Sequence, residues 1–511
     1  MKSKFIIAGI FILLLAVSSC GTKPAAGKKA EVSPTGTAAQ PTVVQQPSEA
    51  AAQISPTAEA PRVTIRETVV QKMADLVFSD CTPSQLIAYA GEHIAAATPQ
   101  EADSMLLILE NVQKAWLDYY LNQLEFHVNT SMQVEQTWID ELTQNGFRLV
   151  EGTRSKVPVI DYSIYRKWEG MLSGWFRDYI AIIQTETDRP AVTGSKLAIP
   201  KDELEERLLF ASWYVEQYPK SARVNQVLSL YDTYLYSYLY GYDNEPVINL
   251  STGQISMEYY HRYLEFVRKN PEAKVSDIIA GYASVIEQGS FKMTAELEKY
   301  LEEVFSNLED QRIVVRNDIG RQILMEHIGR LLPDRTGFVW KCYGSGQYEH
   351  TASLTGIHTE DGNPVYVVTG MVGNSSGTDI SDEQAAIELE YRIENNVLYQ
   401  VKFAPAMLDS DFDELEIIRY PFVTGHKWYQ FPVDNGINSA SICTEIISVT
   451  QENGETFIEV EYTDLSTDQY EKRLLQAGKG TVAFSKLYFD GVNDPFEIGY
   501  YIDEAATGYS N

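Results

Sequence analysis

Asp409, Asp411 and Asp413 alternate along Asp409-Ser410-Asp411-Phe412-Asp413, the start of an oxygen-rich loop that suits a hard cation such as calcium. Glu414 stands where an EF-hand loop needs its turn glycine, and Tyr420 where it needs a bidentate acid. An EF-hand is therefore excluded, and a looser calcium site is set against the plainer expectation of an exposed acidic loop. Gly373-Asn374-Ser375-Ser376-Gly377 fits the G-x-S-x-G pattern of a nucleophile elbow, with Asp411 and His426 later in the chain. An elbow needs a helix after it, whereas the alternation of Ile387, Leu389 and Tyr391 reads as a strand, so a polar loop is expected there. The seven histidines show neither H-E-x-x-H nor metal-type clustering, so no metal-ligating set is assigned. Cys342 and Cys443 could form a disulfide whose long loop would contribute a few kcal/mol, leaving Cys81 unpaired. Free buried thiols are the other reading. No residue is assigned a catalytic role.

The elements that must hold these residues fall into two kinds. Residues 62–335 read as helices. Thr82-Pro83 is a cap followed by a proline, and Thr98 with Glu101 forms a capping box. Further helices are expected from Asp161 through Ile180 and near 201–218, 221–241, 255–269, 273–287 and 293–330. Tyr214-Val215-Glu216-Gln217-Tyr218-Pro219-Lys220-Ser221 returns as Phe266-Val267-Arg268-Lys269-Asn270-Pro271-Glu272-Ala273, each copy an aromatic-Val pair closing one helix before a proline. This echo resembles the helix ends of tetratricopeptide-like hairpins, although its offset exceeds their 34-residue period. Tyr231, Tyr234 and Tyr238 would share one helix face, where amphipathic rings suit packing beside a polar edge. From residue 336 the period changes to two. Asp361-Gly362, Asn395-Asn396, Asn453-Gly454 and Gly478-Lys479-Gly480 each supply the turn of a hairpin. The fold class expected is multidomain α+β: an all-α helical-hairpin domain (62–335), then an antiparallel β domain (336–511), sandwich or open barrel.

The first residues set the location. Lys2 and Lys4 precede an apolar run from Phe5 to Val17, about a dozen residues where a membrane span needs roughly 20. Small residues then lead to Cys20. Val17-Ser18-Ser19-Cys20 resembles the lipobox of bacterial lipoproteins. The resemblance implies a signal peptide over 1–19, cleavage before Cys20, and a diacylglyceryl group with a further acyl chain such as palmitate on that cysteine, enough for stable anchoring. Residues 21–61 lack aromatic rings and are rich in Ala, Pro, Thr, Gln and Ser, the composition of a disordered tether. Ile418-Arg419-Tyr420-Pro421-Phe422-Val423-Thr424-Gly425-His426-Lys427-Trp428 and the Gly478-Lys479-Gly480 turn are similar to a β domain of uncharacterised lipoproteins from clostridia and related Gram-positive bacteria. That likeness implies the same placement and no catalytic residues.

The net charge is −30, with 28 acidic against nine basic residues after residue 335. Such a field repels nucleic acid. The expectation is therefore a lipid-anchored protein on the extracytoplasmic face of the cell membrane. It would be a non-enzymatic module that binds or assembles an envelope protein or polymer, with no cofactor beyond the lipid and a calcium ion at most. The alternatives are an extracytoplasmic hydrolase using paired acids and a solute-binding lipoprotein, the latter lacking the βαβ alternation it would need.

Overall fold

Capping side chains start many of the helices. In a computed structural model describing residues 68–129, 136–152, 156–242, 244–249, 251–373, 381–434, 437–438, 441–467, 469–488 and 494–509, the α-helices before residue 335 are α1 (Val69–Val77), α2 (Pro83–His93), α3 (Pro99–Asn129), α4 (Gln136–Gln144), α5 (Ser163–Arg166), α6 (Gly174–Asp188), α7 (Lys201–Gln217), α8 (Val224–Leu239), α9 (Met257–Lys269), α10 (Lys274–Gln288), α11 (Ala295–Glu309) and α12 (Ile319–Gly329). Thr68, Ser256, Thr294 and Asp318 each accept a bond from a first-turn amide. Thr98 and Glu101 exchange the two bonds of a capping box. No helix among the described residues is long and apolar enough to cross a membrane.

The two echoed segments occupy equivalent places. Tyr218 ends α7 at φ −127°, ψ 51°, and Asn270 ends α9 at φ −127°, ψ 53°. Each amide bonds back four residues, to Tyr214 and Phe266. Antiparallel pairs α7/α8 and α9/α10 follow from this repeated stop, so helical hairpins are present. The tyrosines of α8 pack as their spacing suggests. Tyr234 and Tyr238 are buried, their hydroxyls donating to Glu186 at 2.7 Å and Glu205 at 2.8 Å.

The stretch expected to be all-α is helical but also carries small antiparallel hairpins, the longest pairing Phe147–Glu151 with Lys156–Ile160, and two helix bounds need correction. The helix expected over 293–330 is broken between Glu309 and Ile319, where β-branched Ile313-Val314-Val315 runs irregularly before Asp318 caps α12. The helix expected from Asp161 begins as the single turn α5, and its long part, α6, starts only at Gly174.

A charged cluster lies inside the helical part. Glu110 of α3 accepts from Arg223 Nε at 2.7 Å, from Tyr162 at 2.8 Å and from Tyr179, and lies 3.1 Å from Lys114 Nζ. Arg223, just before α8, also pairs with the α12 cap Asp318. Burial alone would raise the Glu110 carboxyl, but Arg223 and Lys114 pull it down to about 2.

The β part is one antiparallel meander: β1 (Phe338–Gly344), β2 (Glu349–Glu360), β3 (Asn363–Val372), β4 (Ala386–Glu394), β5 (Val397–Pro405), β6 (Glu414–Arg419), β7 (Lys427–Gln430), β8 (Ile442–Glu452), β9 (Glu455–Asp464), β10 (Tyr470–Gln476), β11 (Gly480–Tyr488) and β12 (Phe496–Ile502). The sheet order is β7-β8-β9-β10-β11-β12-β1-β2-β3-β4-β5-β6, so the strands curl into a nearly closed barrel. This is the α+β architecture expected from the sequence, with the open-barrel alternative realised. The tight turns carry positive φ at Asp361, Gly362, Asn395, Asn453, Gly454 and Gly478.

The halves β1–β6 and β7–β12 mirror each other in plan. Each has a short strand, two hairpins and a closing strand, with register shifts at Leu354/Gly356 in the first half and Ile446/Ser448 in the second. At the seam between β6 and β7 a side chain replaces the ladder. Gln430 accepts from the Glu416 amide at 2.9 Å and donates to the Glu416 carbonyl at 3.1 Å, while Tyr462 donates to the Ile417 carbonyl at 2.6 Å.

From Thr68 onward the helical and β parts form one compact unit. One end of the barrel is covered by α12, α3 and the loop after α12. The amides of Gly478 and Gly480 donate to the carbonyls of Arg330 and Leu331 at 2.8 and 2.7 Å. Gln123 donates to the Gly425 carbonyl at 3.0 Å, and His327 meets Tyr420 and Phe422 edge-on or tilted.

Candidate functional site: the open mouth of the barrel

At the other end, the loop 406–413 between β5 and β6 folds into the mouth. Asp409, at its centre, is buried with Arg473 of β10. Arg473 Nη1 donates to Oδ1 at 2.8 Å, and Nη2 lies 2.5 Å from the same oxygen. Gln400 donates to Oδ2 at 2.6 Å, and the Ser410 amide caps Oδ1 at 2.8 Å. Arg473 points inward because its strand neighbours Val460 and Phe484, also buried, do so.

Lysines hold the loop from above. Lys402 donates to the Ser410 carbonyl, and Lys486 to the Asp409 carbonyl at 3.0 Å and to Asp411 at 2.8 Å. The Leu408 amide donates to the Tyr348 hydroxyl at 2.8 Å. Burial pushes the His350 ring down to about 4, against the opposing pull of Asp409, so it is neutral at neutral pH. Burial likewise raises Glu471, with Arg473 opposing.

This geometry corrects the cation-loop expectation. Asp409 is inside the barrel on a guanidinium, Asp411 is exposed on an ammonium, and the Asp413 carbonyl accepts the Lys402 amide at 2.7 Å. The three carboxylates do not converge, and basic side chains already hold the first two. Among the described residues no group of His, Cys, Asp and Glu is arranged to hold a metal ion.

The disulfide expectation is also corrected: Cys342, Cys443 and Cys81 are free thiols. Cys342 faces the barrel interior, and burial raises its thiol to about 12. Thr444 faces inward on β8, so its neighbour Cys443 faces out, beside Lys427, Glu445 and Glu461. Five strand steps and opposite faces separate the two sulfurs, which no disulfide geometry spans.

The partners suggested for the nucleophile elbow lie at opposite ends. Asp411 is at this mouth, whereas His426 is buried at the covered end, its Nδ1 2.9 Å from the Pro421 carbonyl. Residues 374–377 of that pattern, Cys20 and the tether all lie outside the described residues.

Around the filled mouth stands a ring of exposed apolar side chains. Met371, Phe403, Phe431, Leu465, Tyr488 and Phe496 sit at the ends of, or just beyond, strands that finish here, with Phe403 at 59% and Phe431 at 61% exposure. Carboxylates of Glu349, Asp411, Glu414, Asp464 and Glu497 border the same ring. Exposed apolar side chains bordered by charge have the composition of an interaction surface. Sequence reasoning missed Arg473 and Gln430. The available signal was a polar residue at an inward position of an alternating strand.

No protein-family model and no curated protein matches the chain. Among solved structures it is similar to an inferred lipoprotein from Parabacteroides distasonis, with 12% identity over 34% of this chain and 97% of that one and a TM-score of 0.22. It is also similar to an inferred exported protein with a YmcC-like fold from Bacteroides fragilis, with 10% identity over 34% and 96% and a TM-score of 0.23. At such TM-scores neither likeness carries an argument here.

Proposed function

We propose that this chain is a lipid-anchored extracytoplasmic lipoprotein, attached through Cys20, that serves as a non-enzymatic docking module of the cell envelope. The open barrel mouth is its docking face. The observation that carries this reading is the asymmetry of the barrel: one end is covered by helices, and among the described residues the other presents six apolar side chains around a loop held by buried charge. The acidic border favours a protein partner whose apolar patch is flanked by lysine or arginine.

The test is a photo-crosslinking amino acid placed in cells at Phe403 or Phe431, with Lys299 on the exposed face of α11 as the comparison site. A discrete adduct from the mouth positions that disappears in Met371→Glu supports the reading. Identical products from all three sites would sink it. Attachment is checked separately: Cys20→Ala should abolish incorporation of an alkyne-labelled palmitate and release the protein from the membrane fraction.

A further inference from the structure

A cleft of about 760 Å³ opens at the covered end, between α12 and the tip of the β2–β3 hairpin. It lies apart from the mouth and shares only Asp318 with the buried Glu110–Arg223 cluster. Arg316, Arg321 and Arg330 line it together with Met325, Leu332 and Tyr366.

Arg321 is the unusual member. It is half-buried in the first turn of α12, and its guanidinium is held by two neutral oxygens. Nε donates to Asn395 Oδ1 at 3.3 Å, and Nη2 donates to Asn363 Oδ1 at 2.6 Å. Among the described residues, every other buried or half-buried arginine (148, 207, 223, 262, 392, 419 and 473) has a carboxylate within ion-pair distance. Arg321 has none. Its Nη1 lies over the hairpin tip, 3.6 Å from where a Cβ on Gly362 would stand, and has no hydrogen-bond partner among the described residues. Burial depresses its pKa, with Asp318 and Glu394 opposing, as expected for a guanidinium whose lost hydration is not fully replaced.

The acids nearby are largely engaged. Glu326 pairs with Arg330 at 3.1 Å, Asp334 accepts from Tyr509 at 2.7 Å, and Asp318 holds Arg223. Asp361, in the hairpin turn, is the remaining carboxylate on the lining. Exposed Arg316 has no ion-pair partner among the described residues. Two arginines without an ion-pair partner thus face one cleft in a chain of net charge −30.

We propose that this cleft binds an oxyanion, the phosphate or carboxylate of a ligand whose apolar part lies against Met325, Leu332 and Tyr366. The anion takes the free edge of Arg321, with Arg316 closing over it. Arginine suits the role because its planar fork stays charged and can present two donors to one oxyanion.

The full chain in detergent is titrated with inorganic phosphate against chloride at equal ionic strength, followed by calorimetry. Saturable binding is expected, weakened about tenfold to a hundredfold in Arg321→Gln, the worth of a charge-assisted hydrogen bond, and less in Arg316→Gln. Arg316 is exposed, so its variant keeps the fold and the test holds even if Arg321→Gln does not fold. Absence of saturation, or equal binding by wild type and Arg316→Gln with Arg321→Gln unchanged or unfolded, overturns the proposal. A parallel arm compares phosphatidylglycerol with phosphatidylcholine vesicles. Arg321-dependent capture by the former assigns the anion to a lipid headgroup, and phosphate binding without vesicle capture assigns it to a soluble ligand.

Discussion

The molecule buries charge in two places that solve different problems. In the helical part, Arg223 is shared by Glu110 and Asp318, and tyrosine hydroxyls complete the carboxylate, so one cation joins α3, α8 and α12. In the barrel, Arg473 serves the single carboxylate Asp409, and the surrounding bonds run to the backbone of loop 406–413. The first cluster fixes how helices meet. The second fixes a loop in a mouth. Buried ion pairs are weak evidence of net stability, yet breaking one by removing a single partner is costly.

That contrast can be tested in order of expected effect. Arg223→Met strands the buried Asp318 carboxylate and leaves Glu110 with Lys114 alone, and should cost about 4–5 kcal/mol or prevent folding, measured by urea denaturation. Arg473→Met strands one and should cost about 3–4 kcal/mol, with Asp409→Leu in the same chain recovering much of the loss. Recovery in the helical cluster after Glu110→Leu alone is not expected, because Asp318 would remain.

Acid should separate the two clusters. Burial holds the His350 ring near 4, below its ordinary 6.5, so the unfolded chain binds the proton first and stability falls as pH drops from about 6.5 to 4. Glu110, held near 2, contributes stability that is lost only as pH falls from about 4.5 to 2. Each shift amounts to at most about 3.5 kcal/mol. Backbone exchange followed by mass spectrometry against pH should therefore loosen loop 406–413, and the covered end where buried His426, also held near 4, meets Tyr119, before the turn of α3 that carries Glu110. Simultaneous loosening would show that the two clusters unfold as one. Gln430→Ala leaves two backbone groups of Glu416 without partners and should cost about 1–3 kcal/mol. The smallest effect belongs to Asp411→Ala, whose exposed carboxylate pairs with Lys486 for under about 1 kcal/mol.

Much of the architecture was legible because it rests on local chemistry. Caps at Thr82 and Thr98, the repeated stop at Tyr218 and Asn270, and Asx-Gly turns every hairpin or so all act within a few residues. What escaped depends on distant partners. Asp409 reads as a surface carboxylate until Arg473, 64 residues later, is seen to share its interior. Cys342 and Cys443 look pairable until strand order and face are known. The break before α12 was hidden because β-branched residues lower helix propensity only slightly, while tertiary contacts decided the outcome. The apolar rim was invisible for a related reason: Phe403 and Phe431 look like ordinary strand residues, and only barrel closure places them at one end.

The Gln430 seam has a consequence for time rather than energy. Ladder amides exchange with solvent when strands separate, a slow cooperative opening. The Glu416 amide is guarded by a side chain instead, and a side chain can leave by rotating about its own bonds while every strand stays in place. Its hydrogen-exchange rate should therefore run faster than that of its strand neighbours and change little with denaturant, making one backbone position a clock for a rotamer inside an otherwise rigid wall.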